Sequence, residues 1–197
     1  MALQFKIQLK NISKPAVWRR VVAPESFTFL QFHDVIQRAF GWDSYHLFEF
    51  SPQGFGSYPA YGIPSPQDDG EMTDARKIKI STVFKKAGQK FNYIYDFGDE
   101  WSHSILLELR TTEKIITADC IAGKGKCPPE DCGGTWGYEN LLKILANPAD
   151  EEHTAMMEWL GIDEPGDWDV NEFDLEDARA SVKNAGNKDE IYEMLYP

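Results

Sequence analysis

The chain has 197 residues, 42% hydrophobic and 13% aromatic, with a formal net charge of -12. That length and apolar content suit one folded domain with a real core and exclude wholesale disorder. No apolar run approaches the roughly 18 residues of a membrane span, and the start, MALQFKIQLK, carries Lys6 and Lys10 inside an alternating pattern rather than a signal peptide. Three cysteines are too few, and odd in number, for a disulfide scaffold, so a cytoplasmic protein is expected. Charge is uneven: residues 1–48 sum to +3, 49–145 to -3 and 146–197 to -12. An acidic C-terminal third repels phosphate backbones and disfavours direct DNA binding. A local basic patch at Arg19 and Arg20 reads more simply as a solvated strand end.

Leu3, Phe5, Ile7 and Leu9 alternate with polar residues, a half-buried strand. Asn11 to Pro15 is turn chemistry, and Val17 to Val22 can return as its partner. Thr28 caps a helical stretch through Phe40, and Gly41 stops it. His46 to Phe50 reads as the next strand. The order is β-β-α-β, as in a β-grasp. Residues 51–75 are rich in Gly and Pro and are expected to form a long loop. Arg76 to Ile80 is a short strand candidate and Ser81 to Ala87 a short helix. Phe91 to Tyr95 and Ser102 to Leu109 are strands of a hairpin with Gly98 as its left-handed residue. Thr111 to Gly134 is expected to be irregular.

Tyr138 to Ala146 reads as a helix. A second, capped by Asp150, turns Ala155, Met156, Trp159 and Leu160 inward. Asp163 to Asn171 is an acidic linker, Asp174 caps a helix to Ala185, and Asp189 to Leu195 closes the chain. The expected fold is α+β: a single domain over 1–197, with a mixed, largely antiparallel sheet in 1–135 and an acidic helical portion in 136–197.

Chemistry concentrates in two segments. In Tyr93 to Glu108, alternation places Trp101, His103, Ile105 and Leu107 on one strand face, with Asp96 and Asp99 in the turn. Asp96, Asp99 and His103 are the catalytic candidates, as an acid/base pair or metal site. The competing reading has the aspartates bonding their own turn and His103 as a satisfied core histidine. Cys120, Cys127 and Cys132 follow a C-x6-C-x4-C spacing. With His103 or a carboxylate as a fourth ligand they are candidates for zinc, and Lys124 and Lys126 would favour thiolates. Against zinc stand the missing C-x-x-C pair and the ordinary packing of small cysteines in a Gly/Pro loop. A thiol hydrolase pairing Cys127 or Cys132 with His103 is conceivable.

Other signatures fail. Asp96-Phe97-Gly98 lacks a kinase catalytic loop, Gly54-Phe55-Gly56 lacks a third glycine, and there is no G-x-S-x-G elbow. His33 and His153 read as surface residues. Trp18, Trp42, Tyr45, Phe48 and Phe50 read as core rather than a base-stacking platform.

Several stretches together resemble the plasmid pRiA4b ORF-3-like family. They are Lys14 to Arg20, Phe40-Gly41-Trp42 with His46-Leu47, Tyr93 to His103, Cys127 to Gly134, Gly137-Tyr138 and Trp159-Leu160-Gly161, in order over about residues 2–180. The resemblance implies a domain of plasmids, insertion-element neighbourhoods and prokaryotic chromosomes, with members often labelled element passenger or resolvase-like and no established catalysis. Two departures stand out. His46-Leu47-Phe48 replaces the family's His-Leu-His, and Glu164 to Asp169 replaces its Phe-Asp-Pro run. No nucleophile-plus-arginine set supports a resolvase. The leading expectation is a non-enzymatic binding or adaptor module for a protein or small ligand, using Asp96, Asp99, Trp101, His103, Glu130 and Asp131. The rivals are a metal- or thiol-dependent hydrolase or nuclease and, more weakly, a DNA-associated accessory protein. Ligand contact by both segments requires that they adjoin in space.

Overall fold

The computed structural model describes residues 1–65 and 72–186; the helix expected at Asp189 to Leu195 lies outside them. Alternation dictates the first hairpin, β1 (Ala2–Ser13) and β2 (Ala16–Pro24), paired antiparallel so that Leu3, Phe5, Ile7 and Leu9 are buried. The strands run further into the Asn11 to Pro15 segment than turn chemistry suggests.

Helix α1 (Phe29–Phe40) starts in a capping box, Thr28 and Gln31 each bonding the other's backbone N–H, and ends at Gly41 with φ 84°. It is buried nearly all round: His33, Asp34 and Gln37 are as enclosed as its apolar residues. His33, read as a surface residue, is therefore a core residue.

Strand β3 (Phe48–Ser51) follows. The segment expected to be one long loop instead holds two short strands, β4 (Ala60–Gly62) and β5 (Met72–Asp74), paired parallel to each other. Residues 76–79 contribute only an isolated bridge from Lys79 to Thr28, and α2 is the short Ile80–Val83. The central hairpin is β6 (Lys90–Tyr95) with β7 (Trp101–Thr111). Beyond it the stretch expected to be irregular forms β8 (Asp119–Lys124), which pairs with β2.

All eight strands join one sheet in the order β5-β4-β3-β6-β7-β1-β2-β8, antiparallel except for β4 and β5. The fold is α+β. The opening order β-β-α-β is present, but β3 pairs with β6 rather than with the first hairpin. Helices α3 (Gly134–Leu145), α4 (His153–Leu160) and α5 (Leu175–Lys183) follow, with a 3-10 turn at Pro165–Asp167. Asp174 caps α5 as expected, accepting from the N–H groups of Glu176 and Asp177. Glu152, not Asp150, stands at the start of α4, and Trp159 on that helix points outward, 48% exposed.

Candidate functional site at the hairpin and cysteine-loop junction

The β6–β7 turn is shaped by Asp96 and Glu100, at φ 57° and 56°, and not by Gly98. Both side chains accept a left-handed backbone because the turn closes tightly: Glu100 N–H donates to the Asp96 carbonyl at 2.7 Å. The Asp96 carboxylate then accepts from the Gly98 N–H at 2.8 Å, an Asx turn. That is the local bonding anticipated for a turn aspartate.

The loop of residues 125–133 folds down onto this turn. Asp99 Oδ2 accepts from the Gly133 N–H at 3.0 Å. Gly134, at φ 66°, passes so close that a Cβ there would stand 2.4 Å from the Asp99 carbonyl oxygen. Trp42 Nε1 donates to the Pro128 carbonyl at 3.0 Å, the Asp43 N–H donates to Glu130 at 3.0 Å, and the Tyr95 hydroxyl donates to Glu130. The two segments do adjoin, and a third, residues 41–47, closes the junction.

That third segment carries His46, a site residue that sequence reasoning missed. Its Nε2 lies 3.1 Å from Asp131 Oδ1 and 3.7 Å from Asp96 Oδ2. The Tyr95 ring packs against the imidazole, ring centroids 5.7 Å apart and planes inclined at 65°. The one available signal was His46-Leu47 within the family motif; nothing in its local pattern points to Asp96 or Asp131.

Other expected residues have different places. Trp101 and His103 share the buried face of β7, as alternation required, and cannot touch a ligand in the junction. His103 is caged by Phe40, Trp42 and Tyr93, ring centroids 5.0 to 5.4 Å away. Burial pulls its pKa down to about 3, against a smaller upward pull from the backbone at Trp101 and Tyr93. Neither ring nitrogen has a hydrogen-bond partner of good geometry, so it is a core histidine without the satisfaction expected of one. A general base needs access that this ring lacks.

The cysteines do not assemble a metal centre with it. Among the described residues, only His46, Asp96 and Asp131 bring three ligand atoms within 4.8 Å of one another. Cys120 is buried on β8, while Cys127 and Cys132 are partly buried and all three thiols are free. Burial pushes the Cys132 thiol up to about 12, helped by the Asp99 charge, and pushes Cys127 higher still despite Arg19. Lys126 does not activate them; it pairs with Glu172 and sits over the Trp168 ring.

The basic residues of β2 are engaged by this chain's own groups too. Arg19 is buried between the Phe40 and Phe173 rings and donates to the carbonyls of Ala39, Trp18 and Lys124. Arg20 makes a bidentate pair with Glu108 at 2.7 and 2.9 Å. Arg19 is therefore not the solvated strand end that the sequence suggested, while Arg20, partly exposed in mid-strand, has its charge paired with Glu108. Of the aromatic set, Trp42, Phe48 and Phe50 are buried, but Tyr45 is exposed.

Beside the junction runs a groove of about 350 Å³ between α3 and α4. Trp136, Met156, Trp159 and Ile144 supply its apolar lining and Asp131 stands at its edge. Trp136 is 78% exposed, so a large ring is presented to solvent with no packing role.

Residues 1–177 match the family model for plasmid pRiA4b ORF-3-like proteins. The chain belongs to that family. It is 38% identical over 162 residues to an uncharacterised protein, y4hQ, of Sinorhizobium fredii, covering 81% of this chain and 80% of that one. It is also similar to the crystal structure of a protein of unknown function from Methanosarcina mazei Go1. That likeness has a TM-score of 0.74 at 35% identity and covers 89% of this chain and 96% of the other. Both relatives match over most of their length, and the family match spans the sheet and the junction segments. No helix among the described residues is long and apolar enough to cross a membrane.

Proposed function

We propose that the chain is a non-enzymatic binding module whose site is the junction of the β6–β7 turn and the 125–133 loop, continued into the α3–α4 groove. The ligand class that fits is a small molecule with an apolar body. The observation that carries the reading is the groove itself: about 350 Å³, walled by Trp136, Trp159 and Met156, against a junction already held together by Asp99, Glu130 and Tyr95. Ligand pockets are typically ~300–1,000 Å³, mostly apolar, with few polar groups for orientation. The support against catalysis is chemical. The one histidine of the expected acid/base set is enclosed, and the thiols next to the site are held protonated by burial.

The unit carrying this site is a single domain of residues 1–197. Its support is one hydrophobic cluster running through the sheet, α1, α3 and α5. The setting is a plasmid- or insertion-element-associated, cytoplasmic one; the family description supports the plasmid link, and three unpaired cysteines suit a reducing compartment.

The test pairs two assays on the purified chain. A fragment library rich in aromatic and alicyclic compounds, screened by tryptophan fluorescence and thermal shift, yields saturable binders that Trp136→Ala loses. A panel of generic esters, phosphodiesters and peptides shows no turnover. Hydrolysis that disappears in Asp131→Ala would overturn the reading in favour of an enzyme.

A further inference from the structure

The junction has an unexplained concentration of negative charge. Among the described residues, none of Asp96, Asp99, Glu130 and Asp131 pairs with a lysine or arginine; their partners are backbone N–H groups, the Tyr95 hydroxyl and His46. Asp96 is the telling case, since it is only 8% exposed. One of its oxygens is held by the Gly98 N–H. The other accepts no hydrogen bond and faces the imidazole at 3.7 Å. Asp96 and Asp131 thus converge on one imidazole with no lysine or arginine to balance their charge, an arrangement suited to a cation.

We propose that His46, Asp96 and Asp131 bind a divalent transition-metal ion of the zinc or manganese class, with open coordination positions beside the groove. The inference rests on reading this junction as a binding site and names one of its ligands. Three separate segments deliver the donors, one each from residues 41–47, the β6–β7 turn and the 125–133 loop. Ligands about 2.0–2.2 Å from a zinc ion stand roughly 3.0–3.5 Å apart in tetrahedral or octahedral arrangements. Of the observed separations from Nε2, 3.1 Å falls within that spacing and 3.7 Å lies just beyond it, within a small side-chain adjustment. The two carboxylate oxygens are within 4.8 Å, and the Asp131 side chain, 70% exposed, is free to swing the remaining ångström inward.

The donor chemistry fixes the metal class. One imidazole nitrogen and two carboxylate oxygens suit zinc, manganese or ferrous iron, and three protein ligands leave positions for water or a ligand atom. Orienting contacts are in place. The Gly98 N–H fixes the Asp96 carboxylate, and the Tyr95 ring fixes the imidazole plane. Cys132 is close by but is not among the donors that converge there.

The test titrates cobalt(II), a spectroscopic substitute for zinc, into the metal-stripped full chain. The expected result is one ion per chain with d–d absorption and no thiolate charge-transfer band. His46→Ala and Asp96→Asn each weaken binding at least about tenfold, as does Asp131→Asn, while Cys132→Ser leaves it unchanged. Asp131 is exposed enough that its variant keeps the fold, which near-UV circular dichroism verifies for all three. Absence of saturable binding, binding indifferent to His46→Ala and Asp131→Asn, or a thiolate band lost in Cys127→Ser or Cys132→Ser would each overturn the proposal. The two readings fail separately: metal without any groove ligand removes the groove, and a groove ligand without metal removes the metal.

Discussion

The Asp99 carboxylate accepts a hydrogen bond from the backbone N–H of Gly133 at 3.0 Å, and through that bond the central hairpin holds the cysteine loop. Because the bond is at the surface, Asp99→Ala lets water take over the N–H. The expected loss is about 1 kcal/mol, a drop in Tm of ~2–4 °C for a chain of this size. Amide exchange at residues 130–134 should accelerate more than exchange in β1. Uniform acceleration throughout the chain would show that this bond does not couple the two segments.

Close approach of the two backbones makes a sharper prediction. Gly134 and Gly161 have nearly equal φ angles, 66° and 65°, but only Gly134 has an atom in the way of a Cβ. Gly161→Ala should cost only the left-handed strain, about 1 kcal/mol. Gly134→Ala should cost at least ~2 kcal/mol more, because the Asp99 carbonyl is backbone and must move. Urea unfolding of the pair measures it, and equal costs would mean that the loop is less tightly seated.

Buried histidines set the acid limit of stability. His33 Nδ1 lies 2.7 Å from the Tyr93 hydroxyl, which itself accepts from Gln37 Nε2 at 2.8 Å. Tyr93 therefore donates its proton to an unprotonated Nδ1. Burial lowers both His33 and His103 from 6.5 to about 3. The unfolded chain takes up these protons first, so stability is full above pH 6.5 and falls as pH drops toward 3. The slope approaches ~1.4 kcal/mol per pH unit for each histidine. Asp74, lowered to about 2 chiefly by Arg76 against the cost of burial, weakens the fold only in stronger acid. Urea midpoints from pH 7.5 to pH 5 should fall about half as steeply in His103→Leu as in the parent chain. An unchanged slope would show that His103 is not titrating across that range.

Thiol chemistry offers an independent check on the protonated cysteines. Iodoacetamide at pH 8 should modify Cys120, Cys127 and Cys132 at least ~10-fold more slowly than it does in the urea-unfolded chain, since the thiolate is the reacting form. One rapidly labelled cysteine in the folded protein would return a thiol nucleophile to consideration.

How much was legible follows from the range of the interactions involved. The β7 face of Trp101, His103, Ile105 and Leu107 was readable because strand alternation is local, as was the Thr28 cap. β8 was not, because Asp-Cys-Ile-Ala-Gly-Lys has weak strand propensity and is ordered by the edge of β2. β4 and β5 likewise exist through pairing rather than composition. His33 was misplaced because its polar neighbours imply a solvated face, whereas α1 is enclosed nearly all round. The adjacency of turn and loop was only a requirement in the sequence. His46 was invisible because it meets Asp96 and Asp131 from residues 50 and 85 positions away.

Chemical-shift mapping of a fragment that saturably binds the isotope-labelled chain is the most direct measurement of the central claim. The account predicts shifts at the indole N–H groups of Trp136 and Trp159 together with the amides of Gly98 and Gly133, all abolished by Trp136→Ala. Shifts confined instead to the separate cavity of about 450 Å³ beside Arg19, Trp168 and Phe173 would contradict it.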